Sequence, residues 1–169
     1  TGMKPTSGLF APSQEVVLAA SHAAAQIGRP YIGVHVRRGD KLEMMPGLFE
    51  ATTAEAVAIK VVEVAPSGVR DVYVASNDEE EDYASALVSH GFRCYGRELF
   101  GSRGDNHLLF AMEMKLVDDA FISIRTFNDA MPWYFSCTSK PSHHLLDRGM
   151  HDYVFGFTAT GSGQSRVYK

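Results

Sequence analysis

Cysteine is nearly absent: the chain of 169 residues holds two, Cys94 and Cys137. That is too few for a disulfide framework or a cysteine-built metal site, and both read as buried thiols rather than a bridge. No apolar run approaches the ~20 residues that span a bilayer. Neither Gly-X-Gly-X-X-Gly nor a Walker A sequence occurs, which speaks against NAD and P-loop readings. There is no Asp-X-Asp and no His/Cys ligand cluster, so no metal is expected. No Asn-X-Ser/Thr sequon supports a glycosylated lumenal surface. Positive charge is the minority: 16 Lys and Arg stand against 20 Asp and Glu, for a net charge of −4. A general polyanion or nucleic-acid binder is therefore not expected. Repeats and low-complexity stretches are lacking too. The chain opens on Thr1 rather than Met, and is expected to be a piece of a longer protein, so the lack of a targeting segment carries no information on compartment.

What is present fits one domain with a real core: 45% of residues are hydrophobic and 21% charged. Residues 1–12, rich in Gly, Pro and Thr, read as a connector. Ser13 can cap a helix through Val16, Val17, Ala20, Ala24 and Ile27, which Gly28 and Pro30 stop. A strand over 31–36 follows, then a loop over 37–50. Thr52 and Glu55 are spaced as a capping box for a helix to about Val64. The next strand is 71–76. The acidic run Asp78–Asp82 suits the start of a helix carrying Tyr83, Leu87 and Val88 inward to Gly91. Residues 92–95 read as a short strand and 96–104 as a loop. A helix runs from 105 or 106 to about 118, a fourth strand covers 120–124, and a last helix begins near Asp129. Strands alternating with helices imply an α/β fold, a Rossmann-like parallel sheet with helices on both faces. The domain is read as 13–138. Residues 139–169 are a tail, with a possible edge strand over 153–157.

The stretch Tyr31-Ile32-Gly33-Val34-His35-Val36-Arg37-Arg38-Gly39-Asp40-Lys41 stands out. It begins as an apolar, β-branched strand and ends in a cluster of charge. Open α/β sheets bind ligands at the carboxyl ends of such strands. Two adjacent guanidiniums are costly to hold together unless an anion sits between them. Ion pairs on the surface are the alternative reading. His35 shares a strand face with Arg37.

Read as H-x-R-R-x-D, residues 35–40 resemble the first signature of the GDP-fucose-dependent fucosyltransferases, the superfamily of α-1,6-, α-1,2- and protein O-fucosyltransferases with the GT-B fold. Val72-Tyr73-Val74-Ala75-Ser76-Asn77-Asp78 resembles the V-Y-L-A-T-D-D strand and turn of the α-1,6 enzymes. Thr126-Phe127-Asn128 stands where that family has T-F-S. The resemblance covers roughly residues 10–138; Asp152–Gly156 is similar to a stretch near the family's carboxyl end. It implies the donor-binding half of an inverting, metal-independent GT-B enzyme that transfers fucose from GDP-fucose to a glycan or protein hydroxyl. An N-terminal domain of the same protein would be the missing partner. The implied compartment is the Golgi or ER lumen for a eukaryotic protein and the cytoplasm for a bacterial one.

The resemblance also assigns roles. Arg37 and Arg38 would bind the pyrophosphate and stabilise charge growing on the β-phosphate, in place of a metal. His35 would hydrogen-bond phosphate or ribose, or be a satisfied core histidine. Asp40 would orient an arginine. Lys41 is either a supporting charge or a phosphate contact. Asn77 and Asp78 contact ligand, or form a turn or helix cap. Glu113 falls where the family has an aspartate that reads the guanine N1–H and N2–H₂ edge, although its helix face could also be a solvated one. Thr126 and Asn128 would offer a hydroxyl and an amide to phosphate. The family's glutamate five residues past the motif aspartate is replaced by Met45. Glu43 is the first candidate for a base and Glu50 the second, unless the base is absent or on the missing domain. That replacement also motivates a rival, a non-catalytic GDP-sugar-binding module or decayed transferase. A different α/β nucleotide-dependent enzyme is a third reading. The Arg-Gly-Asp tripeptides at 38–40 and 103–105 would suit adhesion, but tripeptides recur by chance.

Overall fold

A computed structural model describes residues 12–44, 47–102, 105–126 and 143–145. Five parallel strands form one sheet: β1 (Ile32–Val36), β2 (Asp71–Ser76), β3 (Arg93–Tyr95), β4 (Ile122–Arg125) and β5 (His143–Leu145), in the order β3-β2-β1-β4-β5. Helices α1 (Gln14–Ile27), α4 (Ala54–Val64), α5 (Tyr83–Ser89) and α6 (Asn106–Asp118) cover it. Two short helices, α2 (Asp40–Met44) and α3 (Leu48–Ala51), follow β1.

Helices do lie on both faces. Ile32, Val34 and Val36 of β1, with Val72 and Val74 of β2, pack against Val57 and Val61 of α4 and Leu87 of α5. The intervening residues Tyr73 and Ala75 face Val16, Ala20 and Ala24 of α1 and Leu109, Met112 and Leu116 of α6. A strand buried on both faces cannot show polar alternation, which is why β1 is apolar almost throughout. Gly33 is the exception that lets α6 in. A Cβ there would stand 2.8 Å from the Val117 Cα and 3.0 Å from the Ala120 Cβ.

Connectivity places the switch point. The crossovers through α4 and α5 carry the chain outward from β1 to β2 and β3 on one face. The connection through α6 returns it on the other face to β4, on the far side of β1. β1 and β4 are thus the neighbouring strands at which the strand order reverses, and ligands of open α/β sheets bind near such a point, at the carboxyl ends of the strands.

Several local expectations are corrected. The stretch 37–50 is not simply a loop, since it holds α2 and α3. Helices of four or five residues leave no periodicity to read; α3 is anchored by a single buried residue, Leu48. The cap of α4 is Thr53, whose Oγ1 accepts from the Ala56 N–H at 3.2 Å. Thr52 is fully buried and serves α3, donating to the Leu48 carbonyl at 2.6 Å. In the acidic run only Asp82 caps α5, accepting from the Ser85 N–H. Val88 is 60% exposed rather than inward, because a helix of two turns buries only Tyr83 and Leu87. The loop over 96–104 holds a 3₁₀ turn at Arg97–Phe100. β5 lies past residue 138, in the stretch read as a tail. The last helix near Asp129, the strand over 153–157 and Cys137 lie outside the described residues. Cys94 is half-buried, and burial pushes its thiol up to about 11.

Candidate functional site

Strand alternation separates the two arginines that end β1. Arg38 continues the Val34–Val36 face and turns under the sheet edge, where it is 2% exposed. Its Nε donates to Asp78 Oδ2 at 2.5 Å, and its Nη2 lies 3.3 Å from Glu81 Oε1. Its Nη1 donates to Thr52 Oγ1 at 3.1 Å and to the Phe49 carbonyl at 3.3 Å. The Phe49 ring lies 5.0 Å from the guanidinium. Every nitrogen of the fork thus has a partner within the chain. Arg38 ties the end of β1 to α3 and to the β2–α5 turn, with the positive charge matched by two carboxylates.

Arg37 follows the other face, with His35, into a cleft of about 390 Å³. This cleft lies beyond the carboxyl ends of β1 and β2, beside α6, and is walled also by Asn77, Arg97, Phe110 and Glu113. His35 meets the Phe110 ring edge-on at 6.0 Å. Burial, with Arg125 and Arg37 nearby, pushes its imidazole down to about 3. The ring is neutral at physiological pH and presents one donor and one acceptor.

The cleft floor is braced by backbone contacts. Thr126 is fully buried. Its hydroxyl accepts from the Arg37 N–H at 2.9 Å and donates to the His35 carbonyl at 3.2 Å. It therefore stitches β4 to the end of β1 rather than reaching out as a phosphate contact. Asn77 Oδ1 accepts from the Arg38 N–H at 2.9 Å. Gly39 turns there with φ +61, and a Cβ would come within 2.8 Å of Asn77 Nδ2. Both the positive φ and the close approach select glycine at this corner.

On the α6 wall, Glu113 is 4% exposed, so its helix face is not a solvated one. Its Oε1 accepts from Arg97 Nε at 3.1 Å and from the Tyr73 hydroxyl at 3.4 Å, and its Oε2 accepts from Arg97 Nη2 at 3.4 Å. Burial raises the carboxyl above the usual range, opposed by the Arg97 hydrogen bonds. The same burial, followed by the Glu113 charge, raises the Tyr73 phenol, which stays protonated as a donor.

Of the expected site residues, His35, Arg37, Asn77 and Glu113 line one cleft. Arg38 and Asp78 form a pair on the opposite face. Asp78 also accepts from the Glu80 N–H. Lys41 is half-buried and Glu43 exposed on α2, and Glu50 is exposed on α3. Asp40 opens α2, and its side chain lies outside the described residues, as do Met45, Asn128, and Arg103 and Gly104 of the second Arg-Gly-Asp tripeptide, whose Asp105 caps α6. Arg97 and Phe110 were not anticipated. Arg97 sits in a Gly-rich stretch without a motif, and only the fold carries it to Glu113. Phe110 carries no sequence signal beyond one aromatic on an amphipathic helix. Among the described residues no three His, Cys, Asp or Glu side chains gather to hold a metal ion, and no helix is long and apolar enough to cross a membrane. Compared with known proteins, the chain matches no family model, and no curated protein matches it.

Proposed function

We propose that the cleft binds a guanosine diphosphate sugar, and that the chain is the donor half of an inverting fucosyltransferase that needs no metal. The observation that carries this is the position of Arg37 and Glu113 on the walls of one cleft at the carboxyl ends of the strands. One offers a cation to a diphosphate. The other offers a buried carboxylate, the natural acceptor for the two parallel N–H donors of guanine. The volume of about 390 Å³ is in the range of small-molecule sites.

In this reading Arg37 supports the departing diphosphate. The acceptor hydroxyl oxygen attacks the anomeric carbon, and the bond from that carbon to the phosphate oxygen breaks. Its electron pair leaves on GDP, and Arg37 stabilises the charge that grows there. The hydroxyl proton passes to a base, for which Glu43, exposed on α2 just past the motif, is the candidate on this chain. Neutral His35 donates a hydrogen bond to phosphate or ribose. Arg38 holds the strand end that aims Arg37. The acceptor, a glycan or protein hydroxyl, would be presented with the help of an N-terminal domain of the same protein. Met45 at the family's glutamate position favours a second reading, a GDP-sugar-binding module without turnover.

Calorimetric titration with GDP and ADP in the presence of a chelator tests the binding. GDP is expected to bind in preference to ADP, and Arg37→Ala to weaken it about tenfold to a hundredfold. No preference for guanine, or no effect of Arg37→Ala, would overturn the reading. Turnover of GDP-fucose by the full-length protein then separates transferase from module.

A further inference from the structure

Guanine contains within its ring the same planar donor arrangement as an arginine side chain. Its N1–H and N2–H₂ edge presents two parallel N–H groups, as do Nε and Nη2 of a guanidinium. In the free protein, Nε and Nη2 of Arg97 both face Glu113, at 3.1 Å and 3.4 Å. A carboxylate has about four lone-pair sites. Arg97 takes one on each oxygen, and the Tyr73 hydroxyl takes a second on Oε1. A base cannot then dock bidentately on Glu113 while Arg97 remains.

The two partners are unequal. The Glu113 side chain is 5% exposed and the Arg97 side chain 52%, so the carboxylate is fixed and the guanidinium can leave. It also has somewhere to go. A neighbouring cleft of about 280 Å³ shares Ser76, Arg97 and Glu113 with the first, and its other walls include Glu81, Asp82 and Glu98. An arginine swinging away from Glu113 in that direction stays among carboxylates. Its remaining tether, to the Ser76 carbonyl, is long at 3.5 Å.

We propose that Arg97 is a built-in occupant of the base subsite, a guanidinium that stands in for guanine on Glu113 and is displaced when guanosine diphosphate binds. The inference rests on the reading of the cleft as a guanosine diphosphate site. Arg97 then tunes specificity. A ligand with both donors, GDP, replaces Arg97 in full. Inosine diphosphate, with the N1–H but no exocyclic amine, replaces it in part. ADP, lacking the N1–H, cannot replace it.

The test follows the Arg97 Nε–H resonance by ¹⁵N NMR during titration with GDP, IDP and ADP, beside calorimetry on Arg97→Met and Glu113→Gln. The titrations are run at pH 8, on the side that favours the ionised Glu113 carboxylate over its burial-raised acid form. There Arg97→Met is expected to bind GDP roughly threefold to fivefold tighter, the scale of one half-exposed ion pair removed from competition. GDP should move or broaden the Arg97 Nε–H signal, IDP less so, and Glu113→Gln should abolish the preference for guanine. Guanine-selective binding that depends on Glu113 but leaves the Arg97 signal and the Arg97→Met affinity unchanged overturns this inference and leaves the proposed function standing. Failure of both the native chain and Arg97→Met to bind GDP overturns both.

Discussion

Arg38 and Asp78 meet at 2.5 Å, Nε to Oδ2, across a sequence separation of forty residues. Arg37, the neighbour of Arg38, faces the opposite side of the sheet and opens into the cleft. Two arginines that look alike in the chain therefore have separable effects. Removing Arg38 leaves Asp78 and Glu81 without their cation inside the structure, a loss of about 3–5 kcal/mol for a buried pair broken from one side. Arg37→Ala is expected to change stability by less than about 1 kcal/mol while it weakens ligand binding. Urea denaturation of both variants decides it; equal losses would show that the strand face does not separate them.

Gly33→Ala is expected to destabilise the fold by about 1–3 kcal/mol, the usual range for overpacking. The added methyl would meet backbone, Val117 Cα at 2.8 Å, which cannot rotate away. The α6 wall of the cleft would have to lift, so GDP affinity should fall with stability. A denaturant midpoint unchanged from the native chain contradicts the close packing described.

Two neighbouring threonines have different jobs. Thr53→Ala removes a helix cap and should cost about 1 kcal/mol. Thr52→Val keeps the shape but leaves the Arg38 Nη1 donor short of a partner, at about 1–3 kcal/mol. Thermal melts of the two variants rank them, with Thr52→Val expected to be the lower.

His35 ties stability to pH. Its folded-state value of about 3 lies below the ordinary 6.5, so the unfolded chain binds the extra proton first as pH falls. Its contribution is fully present above pH 6.5 and is lost as the pH drops through that value towards 3. Between pH 7 and pH 5 this amounts to about 2 kcal/mol. His35→Gln should flatten that part of the stability profile, measured by urea denaturation at the two pH values. An unchanged slope would show that the folded ring takes up its proton over the same pH range as the unfolded chain.

The alternation of strands and helices was legible because local rules agree with the fold. Ser13 caps α1, β-branched residues mark β1 and β2, and Asp105 caps α6 through the His107 and Leu108 N–H groups. The charged end of β1 was legible as well, since only a strand carboxyl terminus puts such residues at a crevice. Alternation along β1 already puts Arg37 with His35 and Arg38 on the other face. What could not be read was which of the two faces opens into a cleft and which is closed by counter-charges, because that depends on α6 on one side and on Asp78 and Glu81 on the other. Arg97 and Glu113 are sixteen residues apart, joined by neither a motif nor a period. Their meeting depends on where α6 packs, and Gly33, with no side chain to hold that helix off the sheet, sets the distance. By itself the sequence determined the α/β class, the main helices and strands, and the edge where chemistry is placed. The partners of each buried charge were decided by tertiary packing, because a desolvated ion is stable only beside whatever counter-charge the fold brings to it.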